Sequence, residues 1–134
     1  MSLLKTKYED HLYVLFRMGI GSMFLMFGLQ KLLGLWGMPG GPVPAGSFVW
    51  FAAVAEILIG TGLIFGILSR VASLCGMIEM LVAYFVVHVP LGGLVPAQNQ
   101  GQSAVLFLLA FVVIFAYGSK KFSVEKKLLH RELF

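Results

Sequence analysis

The sequence predicts an all-α integral membrane protein, a single-domain four-helix bundle over residues 1–134 with both termini in the cytoplasm. Three observations carry this. Of 134 residues 59% are hydrophobic and 12% charged, and the mean hydropathy is +0.92. So short a soluble domain could not hide that much apolar surface. Four apolar stretches of near-spanning length alternate with helix-breaking connections. Lysine and arginine are distributed asymmetrically between the two sets of connections.

The four spans fall at about 11–34, 48–68, 70–89 and 102–118, each near the roughly 20 residues that a bilayer core requires. The first contains Arg17 and shows no small-residue cleavage pattern, so it is expected to be a retained helix rather than a signal peptide. The connection Trp36 to Gly46 is rich in glycine and proline, as is Pro90 to Gly101, which ends in a polar run at Gln98–Gln102. Spans two and three are joined only by Leu68-Ser69-Arg70, a tight hairpin. The segment 119–134 alternates basic and apolar residues and reads as a short amphipathic helix on the cytoplasmic leaflet or as a solvated tail.

With four spans, Lys5, Lys7, Arg17, Arg70, Lys120, Lys121, Lys126, Lys127 and Arg131 fall on one side, and Lys31 toward the other. Positive charge inside then makes both ends and the short hairpin cytoplasmic, in a multi-pass protein of the cell membrane. The net charge of +4 belongs to these margins and to anionic lipid, so the lipid bilayer and not nucleic acid is the expected partner.

The outer connections share a pattern, Gly40-Gly41-Pro42-Val43-Pro44-Ala45 and Gly92-Gly93-Leu94-Val95-Pro96-Ala97. A duplicated hairpin would produce it, and so would the recurrence of turn residues in two tight outer loops. Gly62-x-x-x-Gly66 and Ala72-x-x-x-Gly76 offer small-residue seams for helix packing within the bundle, and a homo-oligomer could use the same seams.

Ionisable groups within spans are the first candidates for function. By helical rise, Arg17 lies roughly 9 Å and Glu79 roughly 13 Å from the cytoplasmic side, Glu56 roughly 18 Å from the outer end, and Lys31 and His88 roughly 27–30 Å from the cytoplasmic side. Arg17 and Glu79 are matched in depth and are expected to form a structural ion pair. Glu56 and His88 are the candidate catalytic groups, and Lys31, Tyr84 and Gln102 the candidate substrate- or quinone-binding groups around a polar pocket open to the outer face. Each also has a structural reading: Lys31 can snorkel to headgroups, and His88 can be a hydrogen-bonded wall residue. The single cysteine, Cys75, excludes an internal disulfide or a CxxC site and reads as packing. No metal site and no covalently bound cofactor is expected.

The order Arg17-x-x-Ile20-Gly21-x-x-Phe24-x-x-x-Gly28-x-x-Lys31, then Glu56-x-x-x-Gly60-x-x-Leu63-x-x-Gly66-x-x-Ser69-Arg70, Glu79 to Tyr84 and His88, and Asn99-x-Gly101-Gln102 resembles the DoxX family over about residues 14–124. The resemblance implies four-helix prokaryotic membrane proteins, some of them membrane subunits of thiosulfate:quinone oxidoreductase or members of redox complexes. Gln102 stands where many relatives carry a carboxylate, and Val124-Glu125 follows Ser123 where an Asp is frequent.

Three functions follow as expectations. One is a redox-associated subunit that binds a quinone or a small outer-face substrate, with other redox proteins as partners, since the chain holds no redox centre of its own. The second is a non-catalytic scaffold or accessory subunit of a larger membrane complex. The third is a small transporter built on a mid-membrane carboxylate.

Overall fold

A computed structural model describes residues 8–130; Lys5, Lys7 and Arg131 of the charge pattern lie outside them. The described residues form helices and no strand. Helix α1 (Glu9–Leu33) opens with Glu9 and Asp10 in its first turn, where acidic groups oppose the helix dipole, and stops at the left-handed Gly34. Helix α2 (Phe48–Phe65) starts under a Ser47 cap, whose side chain accepts from Trp50 N at 3.2 Å. It ends at Gly66, whose φ of 65° suits a residue without Cβ.

Helix α3 (Ser69–Val82) runs on through a π-helical turn (Ala83–His88) into α4 (Val89–Gly92). A one-turn helix, α5 (Pro96–Asn99), lies in the connection that follows α4. Helix α6 (Gln102–Tyr117) follows, and a short α7 (Val124–Leu129) is capped by Ser123.

By length and composition α1, α2 and the continuous Ser69–Gly92 helix are able to cross a membrane, while α6 is equally apolar but shorter. At 16 residues α6 extends about 24 Å. The polarity is inside-out relative to a soluble domain. Leu12, Leu15, Leu58, Ile78, Leu106 and Leu109 are exposed, whereas Arg17, Glu56 and Asn99 are buried. Exposed apolar faces of this extent fit hydrocarbon surroundings.

Two helix pairs make up the bundle: α1 packs most extensively on α2, and α3 on α6, while α2 meets α3 more sparingly. The first pair closes along Gly21, Gly28 and Gly60. A Cβ at Gly28 would sit 2.6 Å from the Ala53 carbonyl oxygen, and one at Gly60 would sit 2.6 Å from that of Gly21. These glycines let the backbones touch. The seam expected at Gly62-x-x-x-Gly66 is not used that way, because Gly66 already lies past the end of α2. Gly76 does serve packing, with the Phe111 ring of α6 against it. The two pairs join through aromatic side chains, Phe24 lying edge-on to Phe111 with centroids 4.9 Å apart.

The segment after α6 is tied to the bundle end rather than lying free. Arg17 donates to the carbonyls of Ser119 and Phe122, and Tyr13 donates to Gly118 O at 2.5 Å. Ser123 Oγ donates to Gly66 O at 2.7 Å, and Leu68 N donates to Glu125 Oε2 at 2.8 Å. Asp10 meets Lys120 and Lys121, each at 3.3 Å. The start of α1, the α2–α3 hairpin and the segment 118–129 therefore share one end of the bundle. Phe122 and Leu128 remain exposed there.

Candidate functional site

The site grows from the α1–α2 seam. The two helices are antiparallel, so from the Gly28–Ala53 approach Lys31 lies one turn toward the C-terminal end of α1 and Glu56 one turn the other way on α2. The long lysine side chain spans the interval, and Lys31 Nζ lies 2.5 Å from Glu56 Oε1. Glu56 is 2% exposed and Lys31 28%. The close backbone approach at Gly28 leaves the two side chains flanking it within reach of each other, so the glycine seam positions the pair. The sequence reading missed it because Glu56 was placed too deep. Helix α2 begins at Phe48, eight residues away, so Glu56 lies only about 12 Å in, within reach of a lysine near the end of α1. The start expected at 48 already implied this shallower depth.

The expected Arg17–Glu79 ion pair is not formed. Arg17 is buried and turned toward the carbonyls of the segment that follows α6. Its guanidinium lies beneath Gly66, 3.0 Å from where a Cβ of that residue would be. Glu79 faces the other way, into the seam between α2 and α3, and neither of its buried carboxylate oxygens has a hydrogen-bond partner. Nor are the two level: Arg17 lies beside Gly66 at the end of the bundle, whereas Glu79 lies ten residues, about 15 Å, up the helix that starts at Ser69.

Tyr84 and His88 sit on the π-helical turn, a feature frequent at functional sites, with their rings 6.5 Å apart. Both are committed to the connection between α4 and α6. Tyr84 Oη donates to Leu94 O at 2.7 Å, and His88 Nδ1 lies 3.0 Å from Asn99 O. A carbonyl only accepts, so Nδ1 is the donor in this contact. Asn99, fully buried, ties the same connection together by donating to Gly93 O and accepting from Gly101 N. In the sequence it stands out only as part of a polar run and of the family pattern Asn99-x-Gly101-Gln102. Gln102 is exposed and lines neither cavity described next, so it is not brought to the others.

Two cavities meet at the Lys31–Glu56 pair. The larger, about 440 Å³, runs along the α2–α3 seam, with Lys31, Glu56 and Glu79 as its charged lining. Its walls include Phe48, Phe51, Ile78 and Val87. Phe48 and Phe51 are 63% and 61% exposed, so this cleft opens sideways, toward lipid. Cys75 lines its lower end and is exposed, rather than packed as expected. The smaller cavity, about 210 Å³, is lined by His88, Ser103 and Phe107 and shares Lys31, Glu56, Met80 and Ala83 with the first. Among the described residues no cluster of three or more His, Cys, Asp or Glu is disposed to hold a metal ion.

The sequence profile of the family described as DoxX matches residues 12–89, from α1 to the end of the π-helical turn. The chain is also 30% identical over 125 residues to an uncharacterized protein of Haemophilus influenzae, covering 90% of this chain and 93% of that one. No solved structure matches. Arg17, Lys31, Glu56, Glu79 and His88 all lie within the matched segment, and on these matches the chain belongs to the DoxX family.

Proposed function

We propose that the chain is a four-span subunit of the cell membrane, with cytoplasmic termini, that binds a quinone between α2 and α3 on behalf of a redox complex. The observation that carries this reading is the apolar, laterally open cleft of about 440 Å³ with Lys31, Glu56 and Glu79 along it. Ligand sites are of this size and combine apolar walls with few polar groups. A quinone would enter from the bilayer and lay its ring against Phe48 and Phe51. Lys31 keeps donors beyond the one spent on Glu56 and would hydrogen-bond a quinone carbonyl. Glu56 and Glu79 would take up or release protons as the ring changes redox state. Electrons would come from a partner protein.

The four-span reading counts α6 as a span, supported by its apolar composition and its packing on α3. The orientation is supported by Arg70, Lys120, Lys121, Lys126 and Lys127 lying at one end and Lys31 at the other. The test is titration of decylubiquinone into purified protein in nanodiscs. Saturable binding lost in Lys31→Met is expected; binding no greater than to empty nanodiscs would remove this function.

One observation favours an accessory role instead. Tyr84 and His88, two of the groups expected to meet a substrate, spend their polar atoms on the Leu94 and Asn99 carbonyls. In that reading the polar groups hold the outer connection in shape for a partner protein. Native mass measurement after gentle extraction tests it, since a chain that comes out with no other protein would count against it.

A further inference from the structure

At the cleft between α2 and α3, three carboxylate oxygens have no hydrogen-bond donor among the described residues: Glu56 Oε2 and both oxygens of Glu79. Glu56 is 2% exposed and lines both cavities. The cation beside it, Lys31, already faces Glu56 Oε1 at 2.5 Å. The charged lining of the cleft is therefore two carboxylates against one ammonium. The π-helical turn adds only His88, on the neighbouring cavity, with Nδ1 held by Asn99 O. A buried acceptor without a donor forfeits its hydration for nothing in return. Such a site is matched by a ligand that brings donors and positive charge.

The walls state the rest of that ligand. Phe48, Phe51, Ile78 and Val87 are apolar and face outward along the seam, so the occupant arrives through lipid and carries a hydrocarbon body. We infer that the cleft binds lipophilic primary amines, with the alkyl chain along the α2–α3 seam and the ammonium between Glu56 Oε2 and Glu79. A primary ammonium has three N–H donors, one for each unpartnered oxygen. An alcohol offers one donor, and a quinone offers none. A quinone need not enter the same cleft for the amine to bind.

The experiment is calorimetric titration of the whole protein in zwitterionic nanodiscs, with empty nanodiscs subtracted. Dodecylammonium, dodecyltrimethylammonium and dodecanol are the probes. Dodecylammonium is expected to bind saturably, at least about tenfold tighter than either of the others, as fits charge-assisted hydrogen bonds. The preference is expected to fall by at least about tenfold in Glu79→Gln and to survive in Glu79→Asp. Equal affinity for dodecylammonium and dodecyltrimethylammonium would overturn the inference without recourse to any variant, and so would an unchanged preference in Glu79→Gln. Decylubiquinone is titrated separately. Amine binding without quinone binding removes the quinone function and leaves this inference standing, and the converse removes this inference alone.

Discussion

Lys31 Nζ and Glu56 Oε1 lie 2.5 Å apart, joining α1 to α2 at the point where two cavities meet. Of the two partners Glu56 is the more deeply buried, at 2% exposed against 28%. Removing Lys31 leaves a carboxylate stranded in apolar surroundings, whereas removing both charges leaves neither stranded. Lys31→Met is therefore expected to destabilise the protein by about 3–5 kcal/mol, and Lys31→Met with Glu56→Gln by clearly less. Thermal unfolding in mild detergent measures both. A double variant as unstable as the sum of the single ones would show that the pair is not coupled.

The α1–α2 seam gives a sharper contrast. A Cβ at Gly28 would stand 2.6 Å from the Ala53 carbonyl oxygen, while one at Gly19 would meet nothing within 4 Å. Gly28→Ala is expected to cost about 1–3 kcal/mol, because backbone atoms cannot step aside as a flexible side chain can. Gly19→Ala is expected to be neutral or to stabilise by up to about 1 kcal/mol through helix propensity. Unfolding midpoints of the two variants in the same detergent decide the matter. Since the seam also brings Lys31 to Glu56, Gly28→Ala is expected to weaken ligand binding in the α2–α3 cleft as well.

The segment 118–129 is held by hydrogen bonds that its sequence does not advertise. Ser123 Oγ donates to Gly66 O, which closes α2, and Glu125 accepts from Leu68 N, which opens α3. One serine and one carboxylate thus fasten the segment to the α2–α3 hairpin from below. Ser123→Ala together with Glu125→Ala is expected to release it. The measurement is trypsin cleavage after Lys120 and Lys121, expected to be at least several-fold faster in the double variant. Cleavage at the wild-type rate would mean that the Arg17 hydrogen bonds to Ser119 and Phe122 suffice to hold it.

What was legible in the sequence divides along a physical line. Helix positions follow from apolar runs broken by glycine and proline, so the helices came within a few residues, α2 ending at Phe65 rather than 68 because Gly66 takes the left-handed turn. Depth along a helix follows from the rise per residue only once the ends are placed, and Arg17 falls beside Gly66 at the bundle end while Glu79 lies about 15 Å up from Ser69. Azimuth does not follow from it. Which face of α1 meets α2 is decided by the contacts of Gly21, Gly28 and Gly60, which the sequence offers only as positions of the family pattern, while it suggests packing seams at Gly62, Gly66, Ala72 and Gly76. The true partner of Lys31 therefore went unseen, and so did the outward face of Glu79. The π-helical turn at Ala83–His88 carries no local sequence signal, so the carbonyl partners of Tyr84 and His88, at Leu94 and Asn99, could not be named. His88 does line a cavity as a hydrogen-bonded wall residue, one of the two roles open to it from the sequence.

Orientation in the membrane is the remaining proposal, and cysteine accessibility tests it. Leu94 and Leu128 are 70% and 74% exposed and lie at opposite ends of the bundle. On a Cys75→Ser background, which removes the one native thiol, each is replaced in turn by cysteine. With basic residues retained in the cytoplasm, a membrane-impermeant maleimide added to intact spheroplasts is expected to label Leu94→Cys at once. Leu128→Cys is expected to react only after the cells are opened. Labelling of Leu128→Cys alone in intact spheroplasts would invert the orientation, and labelling of both would mean that α6 does not complete a fourth crossing. In that last case the α2–α3 cleft, whose lining comes from α1, α2 and the Ser69–Gly92 helix, would still face lipid.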